Sequence, residues 1–173
     1  MKSNYFNNED VQSLEEKQKQ STNGSRKKHK SLNFEEYASE GNRIINEVAQ
    51  ILRTDRNRAA RILRSVLHAI RDRIPADDAI EFAQGLPMAL KVVFIDGYDI
   101  SSTPVRIRNR EKVIDFIYGK EGTTSQIDFP NRKSVADALH GVFTVLELNM
   151  DFGQVQQIKN LMNNDLVDLI EGY

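Results

Sequence analysis

Residues 56–98 read RNRAARILRSVLHAIRDRIPADDAIEFAQGLPMALKVVFIDGY, and residues 132–173 read RKSVADALHGVFTVLELNMDFGQVQQIKNLMNNDLVDLIEGY. Set 76 positions apart, the two stretches place apolar residue on apolar residue without a gap. Ala60 falls on Ala136, Leu63 on Leu139, Val66 on Val142 and Ile70 on Leu146. The register then continues through Phe82 on Ile158, Leu86 on Met162, Leu90 on Leu166 and Phe94 on Ile170. Spacings of three and four mark one buried face of each helix. A long helix, a short one and a shorter one keep a single register, junctions included. A unit of this kind cannot bury its stripe alone, but two units facing each other can share a core. The pattern predicts an all-α, compact helical bundle built from two tandem, related units, with about seven to eight helices. A shift of 75 superposes Ile95-Asp96-Gly97-Tyr98 on Ile170-Glu171-Gly172-Tyr173, so the second copy ends its last helix one residue sooner. Both Gly-Tyr pairs read as helix caps with an aromatic over the end.

Ahead of each repeat lies an initial helix. Phe34, Tyr37, Ala38, Gly41, Ile44, Ile45, Val48, Ile51 and Leu52 form one helical stripe, with Asn33 as N-cap and Glu36 as its capping-box partner. The second initial helix, Asn109–Gly119, carries Val113, Phe116 and Ile117 inward and should end at Gly119 and Gly122. A polar loop, Thr123–Pro130, follows it. In the first unit Pro75 stops the long helix and suits the first turn of the next, where Asp77 and Asp78 complement the dipole. No convincing strand emerges; Val105 and Ile107 alternate with Arg106 and Arg108 over too short a run.

The division that results is an arm (1–32), a first unit (33–98), a linker (99–108) and a second unit (109–173) packed on the first as one domain. The arm is rich in Asn, Gln, Ser, Lys and Glu, with Val11 and Leu14 as its main core formers before Leu32. It cannot bury enough apolar surface to offset the entropy of ordering, and reads as disordered. It carries seven Lys/Arg against four Asp/Glu, whereas the rest carries 17 against 21, which together give the net charge of −1. Cysteine is absent, which excludes disulfides, thiol nucleophiles and Cys-ligated zinc. There is neither a membrane-length apolar run nor a signal-peptide pattern, so a cytoplasmic location is the expectation.

Phe82-Ala83-Gln84-Gly85-Leu86-Pro87-Met88, then Phe94-Ile95-Asp96-Gly97-Tyr98, then Pro104-Val105-Arg106-Ile107-Arg108 resemble one bacterial family, called domain of unknown function 2267. The Val66–Ile74 stretch looks like the family's long helix. The likeness spans roughly residues 34–173 and is strongest in the first half. The second half has Met162-Asn163 where members tend to have Leu-Pro. The resemblance implies a compact helical protein and supplies no activity, catalytic residue or cofactor.

Chemistry-bearing residues are few. His29, His68 and His140 fit no metal-ligand spacing, and no Gly-rich phosphate loop is present. Catalytic, cofactor and metal residues are therefore all assigned as none, and the balance leans away from an enzyme. The salient feature is a basic face on the first long helix: Arg58, Arg61, Arg64, His68 and Arg71, opposite Ile62, Val66 and Ile70. Arg106, Arg108, Arg110 and Lys112 extend it on one reading. Such a face can bind phosphates, nucleic-acid backbone or an acidic partner. The plainer reading is a solvated face neutralised by carboxylates, for which Glu35, Glu36, Glu40 and Glu47 are available. The arm's Arg26-Lys27-Lys28-His29-Lys30 run has the same two readings. The leading expectation is a non-enzymatic module that binds another protein, and the alternative is nucleic-acid or polyanion binding through the basic face.

Overall fold

Asn33 starts the first helix: its side-chain oxygen accepts from the Glu36 amide at 3.2 Å, satisfying a donor that a helix start leaves free. The computed structural model describes Gln12 and residues 32–107, 109–120, 125–162 and 164–172. The expected arm thus lies outside the described residues, apart from Gln12 and an exposed Leu32. Tyr173 and Arg108 also lie outside them.

Helix α1 spans Phe34–Ile51. Asp55 caps α2, Arg56–Arg71, by accepting from the Arg58 amide at 3.0 Å. That helix ends at Arg71, ahead of Pro75 rather than at it. Pro75 and Pro87 stand immediately before α3 (Ala76–Gly85) and α4 (Met88–Ile95), where a missing N–H costs nothing. Gly97, just past α4, has φ of 64°, and Gly172, just past the last helix, has φ of 79°. Both stand in the left-handed region that only glycine enters without penalty. The connection that follows α4 holds a 3-10 turn at Ile100–Ser102 and then irregular chain through Val105 and Ile107. It is tied to the end of α2: the Val105 amide donates to the Asp72 carbonyl at 2.7 Å.

Helix α5, Arg110–Lys120, opens on Asn109, whose side chain accepts from the Glu111 amide at 2.8 Å. Gly119 lies within it instead of ending it. The segment read as a polar loop contains a short helical turn, α6 (Ser125–Asp128), and two fully buried residues, Asp128 and Phe129. A reciprocal capping box of Asn131 and Ser134 opens α7, Arg132–Asn149. Helices α8 (Phe152–Leu161) and α9 (Asn164–Glu171) follow. The fold is all-α, with no strand among the described residues.

Helix starts recur at one interval. Phe34 and Arg110, Arg56 and Arg132, Ala76 and Phe152, and Met88 and Asn164 are each 76 residues apart. The packing follows the same exchange. α1 packs on α2 and α4, as α5 packs on α7 and α9; α2 packs on α4, as α7 does on α9. Between the halves, α1 meets α7 where α5 meets α2, and α2 meets α7 and α3 meets α8. The core runs continuously through Ile44, Val48, Val66, Leu67, Phe94, Val113, Val142 and Phe143, all at most 1 % exposed. Two positions of the expected α1 stripe depart from this: Phe34 and Ala38, at the start of the helix, are exposed, and Phe34 stacks edge-on with Tyr37.

Candidate functional site

Helix α2 carries the five cationic or ionisable residues singled out by their spacing, and each is engaged within the chain. At its N-terminal half, Arg58 donates through Nε and Nη2 to the Asp128 carbonyl, at 3.3 and 2.8 Å. Arg61 forms a two-pronged pair with the Asp128 carboxylate, Nε–Oδ2 2.7 Å and Nη2–Oδ1 2.6 Å. This is the strong planar geometry of guanidinium on carboxylate. The two arginines thereby clamp α6 onto α2 and account for a charged residue with no exposure in what looked like a solvated loop.

The C-terminal half of α2 holds the end of α4. Arg64 pairs with Asp96 at 2.7 Å, both side chains more than half exposed. His68 Nε2 bonds the Val93 carbonyl at 2.7 Å. Arg71 is 2 % exposed; its Nη1 donates to the Phe94 and Asp96 carbonyls at 2.7 and 2.8 Å, and its Nε to the Asp72 carboxylate at 2.7 Å. Its guanidinium lies 4.8 Å from the centre of the Tyr98 ring, near enough for a cation–π attraction. These groups satisfy the carbonyls that a helix end leaves open and bring positive charge to its negative pole. At the end of α9, His140 Nδ1 likewise bonds the Ile170 carbonyl.

Desolvation lowers the pKa of His68 from its usual value, against the opposing hydrogen bond of the Val93 carbonyl and with Arg71 and Arg64 adding to the fall. Facing a carbonyl oxygen, Nε2 carries a proton and donates. Asp128, Asp96 and Asp72 are acidic partners of the basic face. Glu47 is buried, accepting from Arg43 and, at 2.8 Å, from Asn149 Nδ2, and so joins α1 to α7. Of the residues read as extending the face, Lys112 is exposed on α5, and Arg106 lies in the connection after α4, beside a cavity that Arg73 also lines.

Two features escaped sequence reasoning. One is the Asp128 clamp, whose only signal was Phe129 in a polar stretch. The other is the outer face of α4. Met88, Val92 and Ile95 are 40, 70 and 43 % exposed, at spacings of four and three along one side of the helix. The signal was a helix, MALKVVFI, with one charge in eight residues and no polar face.

No group of His, Asp and Glu among the described residues is placed to hold a metal, and no helix among them is long and apolar enough to cross a membrane. A search of curated proteins found no match. The profile of one family, described as an uncharacterized conserved protein, matches residues 41–169, more than half of the chain. The chain belongs to that family, domain of unknown function 2267.

Proposed function

We propose that the protein is a non-enzymatic interaction module that docks an amphipathic helix of another protein along the outer face of α4. The observation that carries this reading is a difference between two equivalent positions in the fold. At the 76-residue offset, Met88, Val92 and Ile95 correspond to Asn164, Asp168 and Glu171 on α9, all three exposed. The corresponding helix therefore has a solvated outer face in one half and an apolar one in the other. The fold does not require the apolar version. Anchors at i, i+4 and i+7 are the register by which one helix face meets another. Over those seven residues the stripe rises about 10 Å.

The same reading takes the chain as two related units, residues 33–98 and 109–173, joined by 99–108 as one domain. The common spacing of helix starts and the exchangeable packing support it. Polyanion binding has less to draw on, since Arg58, Arg61, Arg64 and Arg71 are all committed to acceptors within the chain.

The test is a photo-crosslinking amino acid placed at Val92 and, in a second protein, at Asp168. A discrete adduct to one protein is expected from the first position, with the crosslinked peptide lying in an amphipathic helix, and none from the second. No adduct at Val92, or the same adducts from both positions, would refute the proposal.

A further inference from the structure

A cavity of about 190 Å³ opens where the end of α2, the connection after α4 and the α8–α9 elbow meet. Ile74, Leu161, Met162 and Leu166 form its apolar wall, and Arg73 and Arg106 are its charged lining. Arg73 is held in place by Nη2, which donates to the Ile107 carbonyl at 2.8 Å. Its Nε and Nη1 are buried with no hydrogen-bond acceptor, and desolvation pulls its pKa below the usual arginine value. No acidic side chain lines the cavity among the described residues.

Buried donors without acceptors are rare in folded proteins, and each calls for an explanation. The Arg73 side chain as a whole is half-buried, and charge partly taken from water is stabilised by a partner. Elsewhere in the chain the buried arginine, Arg71, has carboxylate, carbonyls and ring in place. Arg73 has only one carbonyl and an adjacent apolar space. The complement of a guanidinium beside an apolar wall is a molecule with an anionic head and an aliphatic body. A planar carboxylate matches the planar guanidinium.

We propose that this cavity binds a short aliphatic carboxylate, with its head on the Arg73 guanidinium and its chain against Ile74, Leu161, Met162 and Leu166. Arg106, exposed beside the cavity, adds a second positive charge near the head. The site is independent of the α4 surface, and neither Arg73 nor Arg106 belongs to the basic face of α2.

The test is calorimetric titration of the full chain with hexanoate, hexanamide and inorganic phosphate. Hexanoate is expected to bind at one site, with hexanamide and phosphate each about tenfold weaker or worse, since the first lacks the charge and the second the chain. Arg73→Gln should weaken hexanoate about tenfold. Far-ultraviolet circular dichroism shows whether that variant stays folded. If it does not, Arg106→Gln and Met162→Trp decide: a loss of affinity in either supports the site, and unchanged affinity in both overturns it. The proposal also fails if hexanoate does not bind, if hexanamide or phosphate binds equally well, or if folded Arg73→Gln keeps full affinity.

Discussion

Asp128 has no exposed surface, while its counter-ion Arg61 keeps 40 % of its side chain in solvent. The pair is therefore asymmetric. Removing the arginine takes the main guanidinium away from a buried carboxylate, whereas removing the carboxylate leaves a cation that water can reach. Arg61→Met is expected to lower the unfolding free energy by about 3 kcal/mol, and Asp128→Asn by less, as read from urea denaturation. No cost for either would show that the clamp does not hold α6 to α2, and equal costs would show that the pair is not asymmetric. His68 gives a pH test. Above its usual value of 6.5 the ring is neutral in folded and unfolded chains alike. Below it the unfolded chain takes up a proton that the folded chain, with its lowered pKa, refuses. Stability should thus fall as pH drops below 6.5. In His68→Gln that part of the fall should vanish from the pH series of urea midpoints.

At the level of helices, α1 and α4 meet through Gly41. A Cβ at that position would lie 2.6 Å from the Cβ of Ala89, closer than two carbons can pack. Gly41→Ala is accordingly expected to cost about 1–3 kcal/mol by overpacking. Adding Ala89→Gly should recover part of that loss, despite glycine's own helix penalty. Failure of the second substitution to rescue would mean that the helices can shift apart freely. The helices themselves were legible in the sequence because their signals are local: Asn33 as a cap, Pro75 before α3, and three-four periodicity along each helix. The roles of charged residues were not. Spacing placed Arg58, Arg61, Arg64, His68 and Arg71 on one face of α2, but apart from Asp72, next to Arg71, their acceptors lie 23 to 70 residues away, at the end of α4 and on α6. Only the packing of α2 between those elements reveals that the face is internal bonding rather than open charge. Likewise Leu90, Val93, Phe94 and Ile95 give the apolar pattern of the short helix, but only one side of it reaches the interior: Leu90 and Phe94 are buried and Ile95 is exposed.

For the molecule as a whole, on the proposed function, the basic face of α2 serves stability and the apolar face of α4 serves recognition. Substituting the residues of the second half into the first, as Met88→Asn, Val92→Asp and Ile95→Glu together, should leave the thermal midpoint nearly unchanged. Exposed positions of this kind shift stability by only about 0.5 kcal/mol each. The most direct measurement is the affinity of the crosslinked partner for three proteins side by side: the natural chain, this triple variant and Arg64→Gln. Binding lost in the triple variant and kept in Arg64→Gln is the expected result. Binding kept in the triple variant and lost in Arg64→Gln would contradict the account and return recognition to the basic face.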